Sequence, residues 1–276
     1  MYRIGLSSCG YALTDESFAA LKRSGIEAIE IVRSLDDHKT KDCKEIRTFA
    51  DRYGVTLWSY HLPFAPFAEI EISTSRHDVR NATVELYTEI IKKASDAGID
   101  KFVVHPSGEP IAPERREDKM LYSMQSLDKL AEVAHSCGAV IAVEDLPRTC
   151  LGNTADEILR LISVNDKLRV CFDTNHLLKY NDNNLNFVER LGDKIVTLHV
   201  SDYDFEDEKH WLPGEGRVDW NELYSAIVRS GYNGVWMYEI GLKPPKTLVR
   251  SRDLTFDDFV RNAREIFENK PLTVIK

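Results

Sequence analysis

Seven side chains able to bind metals or move protons stand at the ends of short apolar runs in this 276-residue chain: Glu30, His61, His105, Glu144, Asp173, His199 and Glu239. Five of the eight histidines, His61, His105, His176, His199 and His210, fall at such an end or in the stretch just beyond it, leaving His38, His77 and His135 elsewhere. Taken singly, a histidine there is more often a hydrogen-bonded structural residue, and a lone glutamate more often a salt-bridge partner. Together, carboxylate and imidazole suit a borderline divalent cation such as Mn²⁺, Zn²⁺ or Co²⁺, whereas an oxygen-only set would suggest Mg²⁺ or Ca²⁺. The candidate ligands of one such ion are Glu144 (AVEDLP), Asp173 (CFDTNH), His199 (TLHVSD) and Glu239 (MYEIG).

The elements that must position these residues follow a repeat. Helix-like segments end in glycine and give way at once to an apolar run, as in KRSGIEAIEI (22–31), DRYGVTLWSYH (51–61), SDAGIDKFVVH (95–105), AHSCGAVIAVED (134–145) and VRSGYNGVWMYE (228–239). Glycine closes a helix in the left-handed conformation at little steric cost, and the β-branched and aromatic residues that follow favour a strand. Strands are expected at 3–7, 27–31, 56–61, 102–105, 140–144, 168–173, 195–201 and 235–240. Helices are expected near 15–24, 41–53, 77–97, 115–136, 154–164, 184–191, 219–229 and 255–268. Runs this continuously apolar belong to strands covered on both faces. Eight βα pairs in a chain of this length predict one α/β domain over 1–276, a (β/α)8 TIM barrel. Such barrels build their sites at the C-terminal strand ends, so the ligands from the fifth to eighth strands should converge near the axis. Two long loops, 202–218 and 241–254, interrupt the pattern.

Composition removes other classes. A net charge of −9 gives no overall attraction for nucleic acid or an anionic membrane. The five cysteines are scattered without C-x-x-C spacing and read as reduced thiols, which with the absence of a secretion signal predicts a cytoplasmic protein. No run approaches the roughly 18 to 20 apolar residues of a membrane span.

The motifs HLPF (61–64), VVHPSG (102–107), VED (143–145), FDTNH (172–176), LHVSD (198–202), HWLPGEGRVDW (210–220) and YEI (238–240) are similar to those of the sugar phosphate isomerase and epimerase families, in order over nearly the whole chain. These families belong to the xylose-isomerase-like superfamily, which also contains endonuclease IV. The resemblance implies a xylose-isomerase-like barrel with a Glu-Asp-His-Glu metal site at Glu144, Asp173, His199 and Glu239, and with His176 facing the substrate. It also implies that Glu144 and Glu239 are the catalytic pair, one removing a proton and the other returning it while both touch the metal. A hydroxy-ketone or hydroxy-aldehyde chelated there would lose the proton beside its carbonyl to give an enediolate, stabilised by the ion as Lewis acid. The expected protein is a divalent-metal-dependent sugar or sugar phosphate isomerase or epimerase with a small carbohydrate as substrate; homo-oligomerisation is compatible with it.

His61, His105, His176, His210 and Arg217 are the expected substrate-binding residues. For His176 the alternative is support of Asp173. His210, before LPGEG, could contact ligand, bind a second metal or face water. Arg217 and the basic stretch 242–252 follow the strands after which barrels often bind phosphate, although solvated charge is the commoner fate of such residues. The family pattern fails at two positions: ketose 3-epimerases usually carry a glutamate six residues after the first glutamate ligand and an arginine six after the histidine ligand, where this chain has Cys150 and Phe205. A free ketohexose held in that manner is therefore not expected.

Three alternatives share the frame. An endonuclease IV-like trinuclear zinc phosphodiesterase acting on abasic DNA would draw its nine ligands from His61, His105, Glu144, Asp173, His176, His199, Glu208, His210 and Glu239. The acidic chain and the lack of arginine-rich loops oppose it, because gripping a duplex takes several phosphate contacts. A keto-sugar or inosose dehydratase would use the same metal and the same enolising step. A catalytically silent sugar-binding barrel would tolerate loss of a ligand, and all four are present.

Overall fold

In the computed structural model, which describes residues 1–40 and 43–275, the apolar runs form eight strands: β1 (Arg3–Ser7), β2 (Ala28–Ile31), β3 (Thr56–His61), β4 (Lys101–Val104), β5 (Val140–Glu144), β6 (Arg169–Asp173), β7 (Ile195–His199) and β8 (Val235–Tyr238). They lie in one parallel sheet in the order β7-β6-β5-β4-β3-β2-β1-β8. The two ends of the sheet meet just past β7, where the Val200 N–H donates to Met237 O at 2.8 Å and the Glu239 N–H to Val200 O at 3.2 Å. The result is the nearly closed parallel barrel that the repeat predicts.

The surrounding helices are α1 (Asp15–Ser24), α2 (Leu35–Thr40), α3 (Lys44–Tyr53), α4 (His77–Ser95), α5 (Arg116–Ser136), α6 (Ala155–Ile162), α7 (Asn184–Leu191), α8 (Trp220–Arg229) and α9 (Phe256–Phe267). The eight expected helices recur within a few residues of their expected bounds; that at 41–53 begins at Lys44, and positions 41 and 42 lie outside the described residues. The additional helix α2 (LDDHKT) is short and mostly polar, so it carries no apolar stripe by which a sequence would announce it. Gly25 and Gly54 end α1 and α3 at φ 94° and 65°, a conformation other residues adopt only with strain, and turn the chain into the next strand. Among the described residues no helix is long and apolar enough to cross a membrane.

The packing separates two sides of each strand. Ile4, Leu6, Ile29, Ile31, Phe102, Val104, Ile141, Val143, Phe172, Trp236 and Tyr238 join the core beneath the helices, whereas Ala28, Val103, Ala142, Cys171, Val235 and Met237 form separate clusters that fill the barrel. Gly5 belongs to this inner set: a Cβ there would lie 2.5 Å from Val235 Cγ1 and 2.8 Å from Met237 Cε, so only glycine fits. Counting on from the inner residues, the next inward positions are Ser7, Glu30, His105, Glu144, Asp173 and Glu239. Strict alternation would turn His61 and His199 outward, because Trp58 and Val196 already pack inside. Register shifts correct this. Ile29 and Glu30 pair with Leu57 and Ser59, passing over Trp58, and Val170 and Cys171 pair with Ile195 and Thr197, passing over Val196. Each bulge flips the parity of its strand and aims the terminal histidine at the axis, a common use of bulges beside active sites. Trp58 Nε1 donates to Thr197 Oγ1 at 3.1 Å, joining the two irregular strands across the barrel.

Candidate metal centre and active site

The expected ligands meet at the C-terminal end of this barrel. Glu144, Asp173 and His199 end their strands, Glu239 follows β8 by one residue, and one donor atom from each lies within 4.8 Å of the others. His199 Nδ1 is central, 2.9 Å from Glu144 Oε1, 3.3 Å from Glu239 Oε2 and 3.9 Å from Asp173 Oδ2. A ring nitrogen carries at most one hydrogen, so it cannot satisfy three carboxylates. Asp173 Oδ2 is buried without a hydrogen-bond partner, a costly state for a carboxylate oxygen. Three acidic side chains and one imidazole around a common point therefore fit a divalent cation, which Glu144, Asp173, His199 and Glu239 would hold.

The protonation pattern agrees. Burial opposes ionisation of Glu144, but the imidazoles of His199 and His105 outweigh it and hold the carboxyl well below the usual range. Glu239 is likewise driven low, burial being outweighed by His199. Asp173 moves the other way, raised by burial and then by Glu239 and Glu144. For His199, burial favours the neutral ring, yet the surrounding carboxylates of Glu239, Glu30 and Glu144 raise its pKa. Without metal, the surroundings thus favour protons on Asp173 and His199 and the ionised forms of Glu144 and Glu239.

Further histidines extend the cluster toward solvent. His61 Nε2 and His105 Nε2 each lie 3.2 Å from Glu144 Oε2. His176 and His210 stand with Glu208 as a second group whose donor atoms are within 4.8 Å of one another. Backbone carbonyls fix three of these rings: His61 Nδ1 lies 2.8 Å from Leu62 O, His176 Nδ1 2.7 Å from Asp145 O, and His210 Nδ1 3.1 Å from Glu239 O. A carbonyl only accepts, so Nδ1 donates in each and Nε2 is left for another partner. Burial lowers the His176 pKa and keeps that ring neutral. His210 is raised to about 9, because Glu208, Glu239 and Asp173 overcome the effect of burial.

The sequence profile of the xylose isomerase-like TIM barrel family matches residues 18–256. The chain belongs to that family. It is 28% identical over 224 residues to the D-psicose 3-epimerase of Ruminiclostridium cellulolyticum, covering 76% of this chain and 72% of the relative. It is 25% identical over 229 residues to the inosose dehydratase of Lacticaseibacillus casei, covering 75% and 76%. Among solved structures, a D-tagatose 3-epimerase-like protein superposes with a TM-score of 0.80 at 24% identity, covering 98% of both chains, a likeness of fold. This family member is therefore related to sugar epimerases and to an inosose dehydratase.

Above the cluster lies a cavity of about 200 Å³ lined by His61, His105, Glu144, His176, His210 and Glu239, with Phe64, Phe67, Glu109, Arg148, Cys150 and Glu208 among its further walls. Phe64 and Phe67 are 40% and 38% exposed at its mouth, and Phe64 stacks on His105 with ring centroids 4.4 Å apart. Gly108 lets Phe67 lie close, since a Cβ there would stand 2.7 Å from the ring. Arg148 and His210 hold left-handed backbone at φ 54° and 51°, strain of the kind that collects at ligand sites.

Four of the five expected substrate-binding residues, His61, His105, His176 and His210, line this cavity. Arg217 does not: it is exposed, its backbone N–H donates to Tyr203 O at 2.8 Å, and its side chain lies outside the cavity wall. Position after β7 put it on the correct rim, but the turn begun at Gly214 carries it outward. Nor does the basic stretch 242–252 stay wholly in solvent, because Arg250 pairs with Glu215 at 2.7 Å with both side chains buried. Cys150 lines the cavity, whereas Phe205 packs on Tyr203 with centroids 4.7 Å apart. Sequence reasoning passed over Arg148, whose guanidinium meets Glu109 at 2.5 Å, Asp207 at 2.7 Å and Glu208 at 2.9 Å. Those partners come from two loops, and nothing local in VEDLPRT marks the residue that joins them.

Proposed function

We propose that this protein is a divalent-metal-dependent isomerase or epimerase of a small sugar, with Glu144 and Glu239 as its proton-transfer pair. The observation that carries the reading is that Glu144 and Glu239, two members of the four-residue metal-capable cluster, line a small, aromatic-rimmed cavity. Its volume of about 200 Å³ lies below the roughly 300–1,000 Å³ of pockets for drug-sized ligands and suits a small metabolite. Mn²⁺, Zn²⁺ or Co²⁺ held by Glu144, Asp173, His199 and Glu239 would polarise a substrate carbonyl as a Lewis acid. Glu144 and Glu239, both ionised, are able to accept the proton beside that carbonyl from either side and return it. His176, neutral with its Nδ1–H committed, offers Nε2 as an acceptor for a substrate hydroxyl, and protonated His210 offers a donor. Phe64 and Phe67 supply an apolar wall for the C–H face of a sugar.

The shared step of isomerisation, epimerisation and dehydration of hydroxy-carbonyl sugars is removal of a carbon-bound proton. Ketoses, aldoses, their phosphates and keto-inositols incubated in D₂O with Mn²⁺, Co²⁺ or Zn²⁺ are expected to show deuterium uptake by NMR for at least one compound. Product analysis of that compound separates an epimerase from a dehydratase. Turnover without deuterium uptake would point to a hydride shift or a shielded transfer.

One observation favours a second reading, a zinc phosphodiesterase on abasic DNA: His176, Glu208 and His210 form a separate metal-capable group, and His61 and His105 share an oxygen of Glu144. The rim opposes it. Glu109, Asp207 and Glu208 crowd the mouth, and Arg148 is committed to all three, so phosphates would meet repulsion where a duplex needs basic contacts. The protein is expected to leave an abasic duplex intact at low salt with added zinc. Robust incision would transfer His61, His105, Glu208 and His210 from substrate pocket to ligand set.

A further inference from the structure

His199 has two ring nitrogens, and the one facing away from the acidic cluster is as tightly held as the one facing it. Glu30, on β2 at the opposite side of the barrel, brings both carboxylate oxygens to 3.0 Å from His199 Nε2. The glutamate is fully buried, and its other hydrogen bond comes from Ser59 Oγ at 2.8 Å. Ser59 reaches it because of the register shift that passes over Trp58 and pairs Glu30 with Ser59. Two strands, a bulge and a buried carboxylate thus converge on a single N–H.

We propose that Glu30 is the positioning residue of the metal centre: by holding the Nε2–H of His199, it obliges that ring to offer Nδ1 to the ion. Metal-ligating histidines commonly donate their other N–H to a carboxylate or carbonyl, which fixes the tautomer and makes the ligating nitrogen a better donor. Three of the cavity histidines differ. His61, His176 and His210 have Nδ1 fixed by neutral backbone carbonyls and turn Nε2 inward. Among these four, His199 alone has the nitrogen turned away from the cluster held by a carboxylate, and in the reverse sense. Burying an unpaired charge is costly, so a carboxylate at the barrel axis with no lysine or arginine among its hydrogen-bonded partners points to a cationic or polarised ring beside it. A ring bound to metal through Nδ1 is polarised in that way.

The affinity part of this proposal rests on the metal reading above, so the test carries one readout with metal and one without. Metal-free wild type, Glu30→Gln, Glu30→Ala and Ser59→Ala would be titrated with Co²⁺ against a chromophoric chelator, and the visible spectrum of the bound cobalt recorded. Glu30→Gln is expected to weaken binding by about 10- to 100-fold and Glu30→Ala by at least as much, with an altered cobalt spectrum, and Ser59→Ala by less. A purely structural glutamate would lower the melting temperature and leave the spectrum of the folded fraction unchanged. In the metal-free proteins, ¹⁵N-histidine NMR should show a protected His199 Nε2–H that Glu30→Gln, which is close to isosteric, shifts or exposes to exchange. Wild-type cobalt affinity and spectrum in a folded Glu30→Gln protein would overturn the proposal. Failure of the wild type to bind cobalt would instead overturn the metal reading, and the NMR signal would still decide whether Glu30 orients the ring.

Discussion

Asp173→Asn is expected to reduce the divalent metal of protein purified without chelator from about one ion per chain to background, and His199→Ala to do the same. Asparagine is nearly isosteric with aspartate, so the fold should survive while the carboxylate that would become an anionic ligand is lost. Alanine at 199 removes the central nitrogen and leaves Glu30 buried with only the Ser59 hydroxyl as partner. The same cluster predicts a pH dependence. Asp173 is raised by burial with Glu239 and Glu144, and His199 is raised by its neighbours against the effect of burial, so both are biased toward their protonated forms in the metal-free protein. A cation competes with those protons, and its affinity should therefore rise with pH, with up to about two protons released per ion. Calorimetric titration in buffers of differing ionisation enthalpy measures that release. Unchanged metal content in both variants, or an affinity flat between about pH 6 and 8, would remove these residues from the ligand set.

How much of this was legible in the sequence depends on the range over which each feature is encoded. The helix-glycine-strand repeat is local: a left-handed glycine and the apolar run after it are adjacent, so all eight strands could be placed and the strand-end position of Glu144, Asp173, His199 and Glu239 followed. Counting residues along β3 and β7 would not have aimed His61 and His199 inward, because the bulges at Trp58 and Val196 are set by pairing with neighbouring strands. Their direction was inferred correctly from strand ends rather than from alternation.

Features that depend on three or more distant segments were not legible. Arg148 gains its role from Glu109 on one loop and from Asp207 and Glu208 on another. Glu30 was visible as a polar strand end, but its bond to His199 spans 169 positions and passes through the barrel. Arg217 stands outside the cavity for the complementary reason: its place after β7 is legible, but the direction of its side chain depends on the path of the loop, which Asp202 organises by accepting from the N–H groups of Gly214 and Val218 and from Trp220 Nε1. The commitment of Arg148 to carboxylates, together with the outward Arg217 and the buried Arg250–Glu215 pair, leaves the cavity with no free guanidinium among these three for a phosphate. A neutral sugar is accordingly the favoured member of the proposed substrate class.

Glu144→Gln and Glu239→Gln should each lower solvent exchange of the substrate proton by about 10²- to 10⁴-fold, the usual contribution of a positioned general acid or base. Both side chains are also candidate ligands, so loss of activity alone would not separate proton transfer from metal binding. Glutamine retains an oxygen donor of similar reach, and metal content measured on the same samples makes the separation: a variant that holds its ion but no longer exchanges the proton has lost the base. The two should also differ. Glu144 is buried, with His61 and His105 on Oε2 and His199 on Oε1, so its replacement removes a carboxylate charge from three imidazoles and should weaken metal binding as well as exchange. Glu239 keeps a 14% exposed side chain on the cavity side, so its replacement should fall more purely on proton transfer. In an epimerase with one acid and one base, each variant would block return of the proton from its own face, and the label would then report which face that is. Undiminished exchange in both variants at saturating metal would show that neither carboxylate moves the proton.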